Sequence, residues 1–256
     1  MEKPLIFITN DDGIHAKGLR YLIELMREFG RVVVVAPDKA QSGMGHAVTT
    51  ASPLRVKKIL IEPDYEEYSS NGTPADTVKL GLKVVLKQKP DLIVSGINHG
   101  SNAGINILYS GTMGATLEGA MSGIPSIGFS LLDHSHNADF SHSIPYIRKI
   151  TEHVLKQGLA PHTCLNVNIP SINSGEIRGI MVCRMGKGYW EEVLEERRDP
   201  HNRPYYWLAG SFQSLDHGTD TDEWALDNHY ISVVPIQLDL TAHNLIPTLK
   251  DLENHI

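Results

Sequence analysis

The chain has 256 residues, 41% of them hydrophobic and 21% charged, and a formal net charge of −7 at pH 7. That length supports a substantial core, and the composition belongs to a soluble globular protein rather than a disordered or fibrous one. The acidic balance argues against a surface for nucleic-acid polymers, and two cysteines, Cys164 and Cys183, are too few for a disulfide framework and read as buried thiols in a reducing compartment.

The first element is PLIFITN (4–10), a short apolar run bounded by Pro4 and by Asn10-Asp11-Asp12-Gly13, which reads as a buried strand. It has the length of a strand and is too short for a signal-peptide core or a membrane span. A cytoplasmic protein with no membrane partner is therefore expected. KGLRYLIELMREFG (17–30) carries apolar residues at helical spacing and closes on Gly30, and RVVVVAP (31–37) is a second buried strand. Together these form a β-α-β unit, a crossover that is right-handed in nearly all proteins.

A Gly/Ser loop follows, then LRVKKILIE as a strand expected near a sheet edge. The segment 69–88 holds a second helix, with Thr73 as N-cap, Pro74 in the first helical position and Asp76 three residues after the cap. PDLIVSG (90–96), a small-residue helix (112–122), IPSIGFS (124–130), a helix near 143–157 and strands near 163–169 and 178–184 continue the alternation. The pattern predicts an α/β fold with a doubly wound, Rossmann-like, mostly parallel sheet. Beyond residue 185 the alternation breaks. GYWEEVLEERRDPHNRPYYWLAG mixes aromatic and charged residues and reads as an arm or hairpin, and 226–241 returns to strand. One domain with a C-terminal extension is expected. The aromatic 185–212 segment is read as a subunit arm that also shapes a cleft.

In open α/β sheets, ligands bind at the carboxyl ends of the parallel strands. Three polar segments fall there: NDDG (10–13), APDKAQSG (36–43) and SGINHGSNAG (95–104). Converging there, Asp11, Asp12, Ser42 and Asn98 would make an all-oxygen set suited to Mg²⁺, Mn²⁺ or Ca²⁺ rather than Zn²⁺. Taken alone, the two aspartates also fit an Asx turn. A second constellation is YSGTMGATLEGAMSG (109–123). Ser110, Gly111 and Thr112 open a helix whose N-terminus can hold an anion, while Gly114, Ala115 and Gly119 also fit close helix packing. A hard-cation site beside a phosphate cradle points to metal-assisted phosphoryl chemistry. His15 and His99 lie inside the candidate metal loops and are candidate acids for the leaving group. His134, His136 and His142 lie in a polar loop and are read as solvated.

The segments ITNDDGIHAKGL, APDKAQSGMGHAVT, NGTPADTVKLGL, SGINHGSNAG, YSGTMGATLEGA and TDEWALDNHYISVVPIQLDL resemble, in order, the blocks of the SurE family, the survival-protein-E nucleotidases, over about residues 4–241. The resemblance implies a three-layer α/β/α sandwich and a metal-dependent phosphatase for nucleoside 5′-monophosphates, with 3′-monophosphates and short polyphosphate as further substrates. It implies one Mg²⁺ or Mn²⁺ per subunit on Asp11, Asp12, Ser42 and Asn98, and phosphate held by Asn98, Ser110, Gly111 and Thr112. Asp11, Asp12 and Asn98 would be its catalytic residues. It also implies a homodimer or homotetramer joined through C-terminal segments, here about 185–225 and the tail. Met44, Gly45 and His46 depart from the small and polar residues common in that loop, which bears on substrate preference rather than on the metal site.

Three other readings arise from the same residues. An Asp nucleophile of the haloacid-dehalogenase type needs Asp-x-Asp, and Gly13 takes the third place. A two-metal phosphoesterase is suggested by the Asn-His-Gly at 98–100, but that family needs an Asp-x-His upstream of it and a Gly-Asp pair, and neither is found. A nucleotide sensor that binds without hydrolysis would use the same cleft.

Overall fold

The computed structural model describes residues 3–135, 137–171 and 176–254. In chain order the main elements are β1 (Leu5–Thr9), α1 (Lys17–Met26), β2 (Arg31–Pro37), β3 (Val56–Glu62), β4 (Tyr65–Ser70), α2 (Pro74–Leu80), β5 (Leu92–His99) and α3 (Gly111–Met121). There follow β6 (Ser126–Leu131), α4 (Ile144–Gln157), β7 (Thr163–Ile169), β8 (Gly179–Val182), β9 (Gly188–Arg198), β10 (Pro204–Ser214), α5 (Asp222–Asp227) and β11 (Tyr230–Gln237).

A nine-stranded sheet runs in the order β3-β4-β2-β1-β5-β6-β7-β11-β8. The strands from β4 through β7 are parallel, and β3 and β11 join antiparallel at either side. β1 and β2 carry apolar residues on both faces because both faces are covered. Ile6, Ile8, Val32 and Val34 pack with Leu19, Leu22 and Ile147 of α1 and α4, whereas Leu5, Phe7, Val33 and Val35 pack with Val78 and Ala115 of α2 and α3. The result is the expected three-layer α/β/α arrangement. The chain leaves β1 towards β2 and β4, then returns to the other side of β1 as β5. The reversal of strand order falls between β1 and β5, so a crevice opens at their carboxyl ends.

Three details differ from the sequence reading. The YEEYSS segment forms β4, a strand its glutamates conceal. Glu67 is buried yet bonded by both guanidinium nitrogens of Arg20, at 3.1 and 3.0 Å, and by the Tyr65 hydroxyl, while Glu66 takes Arg31 and the Tyr68 hydroxyl. The two arginines come from α1 and β2, so the cations that allow these glutamates in a strand are not visible locally. The helix within 69–88 keeps its capping box at Thr73 and Asp76, but after Leu80 it widens into a five-residue π turn. Gly81 permits the close contact there, since a Cβ would lie 2.2 Å from the Phe7 ring. The stretch 226–241 begins as the end of α5, capped by Thr221, before β11 starts at Tyr230.

β3 is an edge strand, as expected, with Lys57 and Lys58 in it. β9 and β10 pair with each other over Gly188–Arg198 and Pro204–Ser214 as a separate two-stranded ribbon. No described helix is long and apolar enough to cross a membrane.

Candidate functional site

The end of β1 is tied down on all sides. The Asn10 side-chain amide donates to the Gly13 carbonyl at 2.9 Å, the Ile14 N–H to Pro37 at 2.8 Å, and the Gln41 N–H to the Asp11 carbonyl at 2.7 Å. Gly13 has φ +99°, and a Cβ there would press on the Lys39 carbonyl carbon at 3.2 Å, so this turn needs glycine. The Asx turn and the ligand-site reading of these residues are therefore compatible. The turn is what aims the two carboxylates.

Asp11 is only 4% exposed. The Thr112 hydroxyl donates to Asp11 Oδ1 at 2.5 Å, and the Thr112 backbone N–H also acts on that carboxylate. Burial pushes Asp11 up to about 6, and the negative charge of Asp12 adds to the rise; the Thr112 donors oppose it. Asp12 is raised too, chiefly by burial, with the nearby His99 acting against the shift. His99 donates its backbone N–H to Asp12 Oδ2 at 3.4 Å, a long contact. Among the described residues, no lysine or arginine is paired with either aspartate.

Asn98 is re-aimed by a bulge. Between the pairs Ser95↔Gly128 and Asn98↔Ser130, β5 spends one residue more than β6. The Asn98 Nδ2 donates to the Gly100 carbonyl at 3.0 Å, which leaves Oδ1 as the end available to a ligand. The loop beyond it is held by a chain of buried amides. Asn102 takes an acceptor from Asn168 at 2.8 Å for its N–H, donates its side chain to Ser130 at 2.7 Å, and receives Asn166 on its carbonyl at 2.8 Å.

The Ser42 loop is fastened to α3. The Gly45 N–H donates to Tyr109 at 3.0 Å, the Gly45 carbonyl lies where a Cβ on Gly114 would be, 2.3 Å away, and His46 meets Glu118 at 3.0 Å. Gly45 and His46, two of the residues that depart from the family pattern in this loop, are thus its anchors. On α3 itself, Ser110 is the N-cap and accepts from the Met113 N–H at 3.0 Å. Gly111 lets the helix start directly against Asp11, since a Cβ there would come within 2.8 Å of the Asp11 Cβ.

These segments border a cleft of about 440 Å³, whose lining includes Asp11, Ser42, Asn98, His99 and Ser110. Asp12, Gly111 and Thr112 are not part of that lining; Thr112 is fully buried with its hydroxyl committed to Asp11. His15 is exposed and does not line the cleft. His134 does line it, with its ring over Gly100, whereas His142 only approaches the Pro170 carbonyl at 3.4 Å. His136 lies outside the described residues. Among the described residues no three His, Cys, Asp or Glu side chains gather as a metal cluster, so a cation here would need neutral oxygens beside the two carboxylates. Larger grooves of about 570 and 760 Å³ lie elsewhere, but their linings are mainly aliphatic.

Sequence reading missed the other wall of the cleft: Asn106, Tyr109, Glu223, Leu226 and Asp227. The i,i+4 spacing of Glu223 and Asp227 on one helical turn was a usable signal. It was hidden because the strand was read as starting at residue 226, inside that turn. Trp190 and Phe212 of the ribbon also line the cleft, as the reading of 185–212 anticipated.

The donor set suits a hard divalent cation. Among the described residues the two adjacent raised carboxylates lack a lysine or arginine partner, the Asn98 oxygen is unspent, and the buried Oδ1 of Asn10 has no hydrogen-bond partner. Fold and site together define a doubly wound α/β protein with an acidic, oxygen-rich pocket at the switch point of its sheet. The chain belongs to the SurE family: the family model described as survival protein SurE matches residues 6–192. It is 55% identical over 252 residues to the 5′-nucleotidase SurE of Flavobacterium psychrophilum, covering 98% of both chains. It is likewise 55% identical to that of Christiangramia forsetii, over 97% of this chain and 96% of the relative. The crystal structure of the SurE protein from Aquifex aeolicus superposes with a TM-score of 0.83 at 42% identity, over 98% of this chain and 100% of the other.

Proposed function

We propose that this chain is a 5′-nucleotidase that hydrolyses nucleoside 5′-monophosphates to nucleoside and phosphate, with one Mg²⁺ or Mn²⁺ per subunit. The observation that carries the reading is the pair Asp11, buried, and Asp12, partly buried beside it, at the switch point with no lysine or arginine partner among the described residues. The names of the full-length relatives supply the substrate class.

Asp11, Asp12, Ser42 and Asn98 would hold the cation. When bound, it would polarise a phosphate oxygen and lower the pKa of a bound water. Thr112 keeps Asp11 oriented and ionised through its two donors. Asn98 presents Oδ1 because Gly100 holds its Nδ2. Ser110 and the N-terminus of α3 face the position an anion would take, where the helix dipole favours negative charge. His99 rests edge-on against Phe140, with centroids 4.9 Å apart, and is the better placed of the two histidines to give a proton to the leaving 5′-oxygen.

The same phosphate-end chemistry extends to 3′-monophosphates and short polyphosphate. The ribbon's exposed Val193, Leu194, Tyr206, Trp207 and Leu208 support its reading as an arm that joins subunits into a dimer or tetramer. A cytoplasmic setting fits the two buried thiols.

The test is phosphate release from a panel of 5′- and 3′-monophosphates and tripolyphosphate, with Mg²⁺, Mn²⁺ or chelator. Metal-dependent release from 5′-monophosphates is expected. Binding of AMP without release, from folded protein, would replace this reading with the sensor.

A further inference from the structure

The phosphate chemistry uses one wall of the cleft and leaves the other without a task. That second wall holds Trp190 and Phe212 from the base of the ribbon, Asn106, and Glu223 of α5. The Trp190 indole N–H donates to Asn106 Oδ1 at 2.7 Å. Its ring meets Phe212 edge to face, with centroids 6.2 Å apart and planes at 68°. The indole is thereby held in one orientation while remaining 39% exposed, which is how a flat ligand is received rather than how a core residue is packed.

Asp222 and Glu223 are adjacent carboxylates with different fates. Asp222 is fully buried and spent on backbone, accepting from the N–H of Gly104 at 2.8 Å and of Gly186 at 2.7 Å. The Glu223 carboxyl accepts no hydrogen bond and makes no ion pair with any described residue, although it is largely withdrawn from water. Glycines make its place. A Cβ on Gly104 would lie 3.1 Å from Glu223 Oε1, and one on Gly186 would lie 3.3 Å from its Cγ. A partly buried carboxyl without a donor is costly unless a ligand supplies one.

We propose that Trp190, Phe212 and Glu223 form a ribonucleoside subsite, in which the base lies on the Trp190 ring and Glu223 accepts the 2′- and 3′-hydroxyls of the ribose. The proposal rests on the reading of the preceding subsection that the substrate is a nucleotide. A carboxylate offers two acceptor oxygens side by side, which matches a vicinal diol, the pairing used at dinucleotide sites. Asp227 beside it makes this wall repel further phosphate groups, so the ligand is oriented with its phosphate towards Ser110 and its sugar towards Glu223. Glu223 is then a specificity-determining residue that separates ribonucleotides from deoxyribonucleotides.

The experiment uses nucleosides, which carry no phosphate to lose. Calorimetric binding of adenosine and 2′-deoxyadenosine is compared for wild type, Glu223→Gln and Trp190→Ala, each first shown to melt cooperatively. At pH 8, where Glu223, pushed up to about 7 by burial, is ionised, wild type should bind adenosine about tenfold more tightly than 2′-deoxyadenosine, the worth of one hydrogen bond to a charged group. Glu223→Gln should bring that ratio towards one, and Trp190→Ala should weaken both nucleosides by about tenfold or more through lost stacking. No adenosine binding, equal affinities in wild type, or a ratio that survives Glu223→Gln would overturn the subsite. Should a variant not fold, the wild-type ratio decides. Failure of phosphate release from AMP would instead sink the hydrolytic reading, and is measured separately.

Discussion

The strand ends at β1 and β5 and the β9–β10 ribbon are built on opposite principles. At the strand ends key side chains are fixed by hydrogen bonds, several of them long-range: Asp11 by Thr112, Asn98 by the nearby Gly100 carbonyl, Asn102 by Asn168 and Ser130. The ribbon is held mainly by its own ladder, and Val193, Leu194, Tyr206, Trp207 and Leu208 face outwards. The first region stores destabilising charge in a rigid frame, which only a tightly packed sheet can sustain. The second keeps apolar surface in reserve, which a two-stranded ribbon does at little cost to the fold. The two meet at Trp190 and Phe212, where the ribbon's base closes the cleft.

The sharpest way to break this contrast is Asp11→Asn. Turnover should fall by about a thousandfold or more, because an amide cannot balance a divalent cation. Stability without metal should rise. Asp11 has a folded value near 6, above its ordinary 3.8, so the folded state holds that proton more tightly than the unfolded state does. The group costs stability as pH climbs from about 4 to 6, and the full cost stands at pH 7. At about 1.4 kcal/mol per pH unit, removing that charge should stabilise the metal-free protein at pH 7 by about 3 kcal/mol, and the gain should vanish near pH 4. Thermal melts across that range, with and without Mg²⁺, check both parts. An Asp11→Asn protein that keeps its activity removes Asp11 from the ligand set.

Thr112→Val comes next. It deletes the donor behind the carboxylate without touching the cleft lining, and metal affinity should drop about 10- to 100-fold, as for other residues that orient a ligand. Titration of Mn²⁺ binding measures it, and unchanged affinity would mean that the Thr112 hydroxyl has no hold on the site.

Gly13→Ala should cost about 1–3 kcal/mol, since φ +99° is strained for any side chain and the new methyl would meet the backbone of Lys39. Denaturant unfolding reads this directly. A cost within experimental error would show that the turn is less rigid than its hydrogen bonds imply.

The smallest effect on the fold belongs to the ribbon. Trp207→Ser with Leu208→Ser should leave monomer stability within about 0.5 kcal/mol while lowering the mass seen by light scattering. An unchanged mass would sink the reading of the ribbon as a subunit arm.

Much of this could be read from particular residues. The valines of RVVVVAP and the isoleucines of PLIFITN announce strands buried on both faces, and Thr73-Pro74-Ala75-Asp76 announces a helix start that the capping box realises. β4 escaped because Glu66 and Glu67 look like loop residues until Arg31 and Arg20 stand beside them. The helix turn at 222–227 escaped because an apolar run follows it closely. Thr112 was assigned to the phosphate because it opens a helix; its hydroxyl and N–H in fact serve Asp11, a contact spanning 101 residues of sequence.

The sequence by itself determined the alternation of strands and helices, the two aspartates after the first strand, and the family. These are local patterns, written in periods of two and 3.6 residues and in contiguous motifs. Only the tertiary structure decided that strand order reverses beside Asp11, that a bulge turns Asn98 to the same crevice, and that Glu223, far along the chain, stands on its other wall. Which residues share a cleft depends on crossovers between distant segments, and burial raises a carboxylate only after those segments have closed over it.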